Sequence, residues 1–190
     1  LKDHAGYTAA QAEAAIKEHV QVCYDICHFA VGYEDHTAVI RKLNTLGIKT
    51  GKIQISAALK ASLAEENTRF TVIDEFAKFN ESTYLHQVVA LQRNGSYMRY
   101  PDLPQALADV HNADILEWRS HFHVPLFVKE YGILQSTQQD IATVLDLHKH
   151  NPFTSVLEIE TYTWEVLPKN LKLHLDESIV REMQWVKDRL

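Results

Sequence analysis

The chain has 190 residues, and its 19 basic and 25 acidic side chains give a formal charge of −6 at pH 7. An apolar share of 46% and a charged share of 23% are those of an ordinary globular protein and exclude the disordered and fibrous classes. No segment is apolar for long enough to span a membrane, and no basic cluster offers a surface for nucleic acid. The composition predicts one cytoplasmic domain over residues 1–190 that has no membrane span and does not bind nucleic acid.

Helices and strands alternate in the first part of the chain. A capping-box pattern, Thr8 with Gln11 three residues later, predicts the start of a helix. The run that follows is apolar on both faces, which is typical of a strand in a parallel sheet. The predicted elements are a helix over 8–19, a strand over 20–27, a helix between Asp35 and Gly47, and a strand over 48–57.

Residues 58–117 are predicted to be an insertion with short helices and a β-hairpin over 86–100. Asn94-Gly95 between two alternating segments indicates the hairpin, because this dipeptide fits a tight two-residue turn. We expect the hairpin to form a lid or an oligomer contact over the site. The short helices are predicted at 57–64, at 73–79 and from Pro104.

The alternation returns after the insertion, with a strand over 121–126, a helix over 136–148, a strand over 156–162 and a helix over 175–190. This order predicts an α/β fold of right-handed βα units around a parallel sheet. Four such strands are half of a (β/α)8 barrel, which usually needs about 250 residues. The prediction is therefore the C-terminal half of a TIM barrel or, alternatively, a small open α/β sheet. The first residue, Leu1 in place of Met, favours the half-barrel and a longer parent protein.

Several common motifs are absent from the sequence. The six glycines form no dinucleotide-binding or P-loop pattern, and there is no nucleophile elbow or zinc helix. Cys23 and Cys27 lie four apart in a predicted strand, which separates them by roughly 13 Å. That distance is too long for a disulfide, so we expect two reduced thiols.

Polar side chains gather where the four predicted parallel strands end. In α/β barrels the active site lies at this end of the strands, so residues that are distant in sequence converge there. Carboxylates and imidazoles together suit a divalent ion such as Zn²⁺, Mn²⁺ or Mg²⁺. The candidate residues are Asp25, His28, Gln54, His121, His123, Glu158 and Glu160.

Two further side chains are candidates for binding the substrate. Arg119 precedes the His-x-His pair and suits a carboxylate or phosphate, although a surface ion pair fits it equally well. Trp164 follows the last predicted strand closely enough to form a stacking wall.

Five strings of this sequence resemble a known family. They are similar to the xylose-isomerase-like TIM barrels, which include sugar isomerases, ketose 3-epimerases and endonuclease IV. Among these, the chain is most similar to the EboE family of bacterial metabolite traffic proteins, over about residues 15 to 190. The strings are Asp25-Ile-Cys-His-Phe-Ala-Val31, Gln54-Ile-Ser-Ala-Ala-Leu59, Tyr84-Leu-His-Gln-Val88, His121-Phe-His-Val-Pro-Leu-Phe127 and Glu158-Ile-Glu-Thr-Tyr-Thr-Trp-Glu-Val-Leu-Pro168.

The resemblance implies roles for individual residues. Asp25 matches the metal-binding Asp of the superfamily, and His28 matches a His that binds substrate or a second metal ion. Either Glu158 or Glu160 matches the Glu of the last strand. Gln54 stands where the superfamily usually has a metal-binding His, and His121 or His123 would replace that His. The resemblance also implies that an N-terminal half of the barrel precedes these residues.

These observations lead to three hypotheses about function. The first is a metal-dependent isomerase or epimerase of a small polyhydroxy or carbonyl metabolite, such as a sugar or sugar phosphate. In it, Asp25, His123 and Glu160 hold the metal with His28 and Gln54 close by, and Glu158 or a glutamate of the missing N-terminal half is the general base. The second is a metabolite-binding protein without catalysis, and the third is a metal-dependent hydrolase, suggested by the His-x-His pair. The expected partner is the missing half-barrel or a second protomer that covers the sheet edge.

Overall fold

The computed structural model describes residues 6–161 and 174–190, which form a mixed α/β structure with one parallel and one antiparallel sheet. The helices are α1 (Ala9–His19), α2 (Ile26–Val31), α3 (His36–Thr45), α4 (Glu66–Ala77), α5 (Leu103–Ala108), α6 (Gln138–His150) and α7 (Leu175–Lys187). The strands are β1 (Val22–Asp25), β2 (Thr50–Ile55), β3 (Ala57–Ser62), β4 (Val88–Gln92), β5 (Tyr97–Tyr100), β6 (Ile115–Val124), β7 (Glu130–Tyr131), β8 (Leu134–Ser136) and β9 (Leu157–Ile159).

The parallel sheet has the strand order β1-β2-β9, and its two faces differ in character. Tyr24, Ile53 and Ile55 are fully buried on one face, in the hydrophobic core. On the opposite face the side chains are polar and contact one another, as in the ion pair of Lys52 with Glu158. This alternation follows from the two-residue period of a strand. We call the polar side the inner face; its members are Cys23, Lys52, Gln54 and Glu158.

The antiparallel sheet has the order β5-β4-β6-β3-β8-β7. Only Ser56 separates β2 from β3, so the chain passes directly from the parallel sheet into the antiparallel one. Trp118 and Phe122 of β6 are buried and make edge-to-face contacts with Phe76 and Phe79 respectively. These aromatic side chains belong to the same core cluster as the apolar face of the parallel sheet. The two sheets are therefore joined by a continuous core.

Several local predictions are confirmed. Thr8 and Gln11 form the capping box of α1, and the side chain of Asp35 caps α3 by accepting from the Ala38 amide at 2.9 Å. Gly47 follows α3 with a φ of +65°, and Gly95 turns the hairpin with a φ of +81°. Such positive φ values favour glycine because it has no Cβ. The cysteines are free thiols.

Other predicted elements are wrong. The predicted helix over 57–64 is strand β3, and the predicted strand over 20–27 ends at Asp25, where α2 begins. The predicted parallel strand over 121–126 is the end of β6, which is antiparallel to β3 and β4. Among the described residues the parallel sheet therefore has three strands. The predicted strand over 156–162 is observed as β9, and its position 162 lies outside the described residues.

The predicted apolar face of the last helix is largely exposed. Of its members, Val186 is buried, whereas Ile179 and Met183 are 43% and 47% exposed. Glu182 is buried instead, and its carboxylate accepts hydrogen bonds from the Leu126 amide at 3.0 Å and from a threonine hydroxyl. These hydrogen bonds connect α7 to the segments that follow β6 and β9. No helix among the described residues is both long and apolar enough to cross a membrane.

Candidate metal-binding site

Asp25 stands at the C-terminal end of β1 and is the N-cap of α2. Its Oδ1 accepts hydrogen bonds from the Cys27 amide at 3.0 Å and from the Ser56 hydroxyl at 2.6 Å. Aspartate is a favourable N-cap because its carboxylate satisfies the first free amides of a helix. Its other oxygen, Oδ2, lies 3.5 Å from His28 Nε2. The carboxylate is therefore held by one oxygen and directs the other towards the histidines.

His121 and His123 reach the same place from the antiparallel sheet. Their Nε2 atoms are 3.2 Å apart, and His123 Nδ1 lies 3.0 Å from the main-chain oxygen of Glu160. A carbonyl oxygen only accepts, so His123 Nδ1 carries hydrogen in this arrangement. Burial lowers the pKa of His123, which favours the neutral ring with a lone pair on Nε2. A ring oriented through Nδ1–H, with Nε2 directed at the ion, is the usual arrangement of a metal-binding histidine.

Glu160 follows β9, where its amide donates to the main-chain oxygen of Ile55 at 3.0 Å. Burial and the neighbouring Asp25 carboxylate raise the pKa of Glu160 to about 7. Its Oε2 is buried and has no hydrogen-bond partner among the described residues. Two carboxyl groups thus face each other, and no lysine or arginine among the described residues forms an ion pair with either one.

The ligand atoms of Asp25, His123 and Glu160 all lie within 4.8 Å of one another. We call these three residues the carboxylate–histidine cluster. A second set, formed by Cys27, His121 and His123, meets the same distance limit and shares His123 with the first. Sequence reasoning missed Cys27 because it placed this residue in a strand. The signal that could have found it is Asp25, which is a favourable N-cap and would end the predicted strand before Cys27. With Cys27 in the helix, its thiol lies next to the two histidines.

A cavity of about 310 Å³ opens beside the cluster. His28 stands at its wall with a side chain that is 59% exposed, and the rings of His28 and His121 have centroids 4.4 Å apart. The cavity therefore reaches two histidines that contact the cluster, His28 beside Asp25 and His121 beside His123, whereas the three cluster residues do not line it. The other lining residues are Phe29, Val31, Gly32, Glu34, Gln87, Val89 and Arg99.

Two candidates from the sequence lie next to the cluster in the parallel sheet but outside it. Gln54 accepts a hydrogen bond from the Cys23 thiol at 2.8 Å on the inner face, and Glu158 pairs with Lys52. The ambiguity between the two glutamates is thus resolved in space, with Glu160 in the cluster and Glu158 outside it. Trp164 lies outside the described residues.

Arg119 is held by protein groups. It donates to Glu117 at 2.8 Å and to the main-chain oxygen of Ala30 at 2.8 Å, and it lies over the ring of Tyr33 at 4.0 Å. Asp140 is within 3.7 Å of the same guanidinium. These contacts support the ion-pair interpretation of Arg119 rather than substrate binding.

The donor set has the chemistry of a divalent-cation site. Imidazole nitrogens and carboxylate oxygens are the usual ligands of Zn²⁺, and carboxylates also suit Mn²⁺. Two nitrogen ligands of a tetrahedral zinc ion stand roughly 3.4 Å apart, if each bond is about 2.1 Å long. The 3.2 Å between the His121 and His123 nitrogens is close to that separation. Comparison of the chain with known protein families, with curated proteins and with solved structures gives no match.

Proposed function

We propose that the carboxylate–histidine cluster binds a divalent metal ion and serves an isomerase or epimerase that acts on a small polyhydroxy or carbonyl metabolite. The observation that carries this proposal is the convergence of Asp25, His123 and Glu160 within 4.8 Å. These residues come from β1, β6 and the end of β9, so the fold brings them together from three distant parts of the sequence.

The residues fit a cation better than they fit an empty polar cluster. Burial raises the pKa of Glu160 most, and the neighbouring Asp25 carboxylate raises it further because two adjacent carboxyl groups repel each other when both are ionised. A divalent ion removes this repulsion and satisfies the buried Glu160 Oε2, which otherwise has no partner among the described residues. The hydrogen bond at His123 Nδ1 orients the ring, and its Nε2, which lies 3.2 Å from His121 Nε2, would be the third ligand.

The roles of the surrounding residues follow from their positions. Bound at the cluster, a divalent ion would polarise a substrate carbonyl and its neighbouring hydroxyl. His28 stands between the Asp25 carboxylate and the cavity, where an exposed imidazole can take up and return a substrate proton. Asp25 orients this imidazole. Glu158, the other candidate base, is paired with Lys52 on the inner face, so His28 is the stronger candidate.

The C-terminal half of a xylose-isomerase-like barrel remains our proposal for the wider architecture. Its support is the arrangement of the parallel sheet, which has an apolar face in the core, a polar inner face, and the cluster at the C-terminal end of its strands. Among the described residues β1 and β9 pair only with β2, so each leaves an edge free. We propose that the missing half-barrel or a second protomer covers these edges.

A metabolite-binding protein without catalysis is the second candidate. Two candidate residues support it, because each contacts another side chain of the parallel sheet. Gln54 accepts a hydrogen bond from Cys23, and Glu158 forms an ion pair with Lys52. In this case the cluster would bind the metal and the ligand, and no proton would be transferred.

Metal binding is the first test. Titration calorimetry with Mn²⁺ and Zn²⁺ should give a one-to-one complex with the wild-type chain, and Asp25→Asn and Glu160→Gln should each weaken it at least about tenfold. Glu158→Gln is the matched control, because it neutralises a carboxylate of the same strand region that lies outside the cluster. Equal metal affinity in all four proteins, or no binding by the wild type, would refute the proposed site.

Catalysis is tested separately in deuterated water. An isomerase or epimerase should exchange the hydrogen next to the carbonyl of a polyhydroxy aldehyde or ketone, and His28→Gln should abolish this exchange while metal binding persists. Metal and ligand binding without any exchange across a panel of such substrates would support the non-catalytic candidate instead.

A further inference from the structure

One arginine that lines the cavity forms no ion pair with the described residues. Arg99 of β5 lines the cavity and is exposed, and none of the hydrogen bonds or ion pairs of the described residues involves its guanidinium. In the strand register Arg99 lies opposite Val89, which pairs on its other side with Arg119. Two arginines thus share one row of the sheet, and they differ in what they contact.

Arg119, in the same row, differs from Arg99 in that protein groups contact its guanidinium. Glu117, Asp140 and the ring of Tyr33 surround its guanidinium. Arg99, one strand beyond Val89, has no such neighbours and faces the cavity instead. A guanidinium offers a planar fork of donors that matches a carboxylate or a phosphate.

We infer that the cavity binds the anionic end of the substrate, a carboxylate or phosphate, through Arg99, while the carbonyl end of the substrate lies at the histidines. This inference rests on the proposed function, because it places the reacting end of the substrate at His28 and His121, which contact the carboxylate–histidine cluster. Both ends are present in one cavity, since His28 and His121 line it together with Arg99. Its volume of about 310 Å³ is at the lower end for small-molecule sites.

Two other residues of the cavity wall, Gln87 and Glu34, can hydrogen-bond to hydroxyl groups between the two ends of the substrate. Gln87 offers an amide, and its main-chain oxygen accepts from the His121 amide at 2.8 Å, which fixes it next to that histidine. Glu34 also lines the cavity and is an acceptor for hydroxyl hydrogens. One cation, one carboxylate and one amide together favour a polyhydroxy chain with a single anionic end over a molecule with several charges.

The experiment compares three five-carbon probes with and without Mn²⁺. D-Ribose 5-phosphate and D-ribonate carry the two anions, and D-ribose is the neutral counterpart. Calorimetry or ligand-detected NMR should show that one or both anions bind more tightly than ribose, and that Arg99→Gln weakens the anion at least about tenfold. The ratio between phosphate and ribonate identifies which anion the site prefers.

Arg93→Gln is the matched control, because Arg93 is an exposed arginine of the same hairpin that does not line the cavity. It should leave all affinities within about twofold of the wild type. Arg99→Gln should also keep wild-type affinity for Mn²⁺ and wild-type thermal stability, since the Arg99 side chain has no hydrogen bond or ion pair within the described part of the chain.

The outcomes separate this inference from the proposed function. If Mn²⁺ binds at the cluster but ribose binds as well as the anions, or Arg99→Gln binds the anions normally, the inference is wrong and the metal site stands. If the anions require Arg99 while Mn²⁺ does not bind, the anion subsite stands and the proposed function fails. Absence of anion binding to the wild type at millimolar concentration overturns the inference as well.

Discussion

Glu160→Gln should stabilise the metal-free protein at alkaline pH. Burial and the Asp25 carboxylate raise the pKa of Glu160 from 4.5 to about 7, so ionising this group costs the folded state free energy. Glutamine has nearly the same shape as the protonated acid and cannot ionise. The substitution therefore removes the cost without creating a cavity.

The magnitude follows from the pKa. A rise from 4.5 to about 7 corresponds to about 3 kcal/mol at a pH above both values. Because the side chain is only half-buried, solvent screening reduces this to about 1 to 1.5 kcal/mol. For a chain of this size, that is about 2–6 °C in Tm.

The contribution of Glu160 to folding stability depends on pH. Between 4.5 and about 7 the folded protein holds a proton that the unfolded chain has lost, so this contribution to stability falls as pH rises. Below 4.5 both states are protonated and the variant should match the wild type. His121 acts in the opposite direction, because burial and His123 lower its pKa from 6.5 to about 4 and stability is lost as pH falls through that range. Both proteins contain His121, so the difference between them isolates Glu160.

The assay is urea unfolding of both proteins with a chelator, at a series of pH values from 4 to 9. Glu158→Gln is the control and should change stability by less than about 1 kcal/mol, because it removes an exposed ion pair. A Glu160→Gln variant whose stability follows the wild type at every pH would show that the two carboxyl groups do not interact, and the geometric argument for a cation between them would fail.

Three further predictions concern the folded chain. Arg69→Met should cost about 3 kcal/mol or more in urea unfolding, because its buried guanidinium donates to four backbone carbonyl oxygens; an unchanged midpoint would contradict this. Thiol titration should show one accessible group, Cys23, which Cys23→Ser removes, and one that reacts only after unfolding, Cys27, because Cys23 is exposed and Cys27 is buried; two accessible native thiols would contradict it. Val88→Asp should abolish cooperative unfolding, because Val88 is fully buried between β5 and β6, whereas a folded variant would show that the hairpin is peripheral.

Local chemistry in the sequence was sufficient to locate turns and helix ends. The capping box at Thr8, the Asp35 cap and the hairpin at Asn94-Gly95 each depend on residues within a few positions of one another, and all three are observed. Asp25 obeys the same rule, since it caps α2. Apolar residues continue on both sides of Asp25, and this pattern predicts a strand over 20–27 that is longer than the observed β1.

The antiparallel sheet could not be predicted because its pairing is nonlocal. The sequence 57–64, rich in alanine and leucine, has the composition of a helix, yet its strand β3 lies between β6 and β8. Leu59 pairs with Ser120 on one side and with Ser136 on the other. The burial that these partners provide outweighs the intrinsic preference of the segment for a helix. Similarly, the hairpin strand β4 is a core strand because β6 passes beside it.

Prediction of the carboxylate–histidine cluster requires both local sequence signals and nonlocal strand pairing. Asp25 and Glu160 end parallel strands, so the rule that such ends converge predicts their meeting. The histidines come from the other sheet, and an irregularity in the pairing of β6 places them. Ala58 pairs with His123 whereas its neighbour Leu59 pairs with Ser120, so the register skips two residues, of which His121 is one. Such irregularities bend a strand and redirect its side chains.

The junction between the sheets therefore explains the position of the site. Ser56, the single residue between β2 and β3, donates its hydroxyl hydrogen to Asp25 and accepts from the Cys27 amide. Immediately after it the chain pairs with the strand that carries His123. A ligand that joins Asp25 to His123 connects the parallel sheet to the antiparallel one at the point where the chain crosses between them. Metal binding should consequently stabilise the contact between the sheets as well as the cluster, and protection of the β6 amides against hydrogen exchange should rise with Mn²⁺ in the wild type and not in Asp25→Asn.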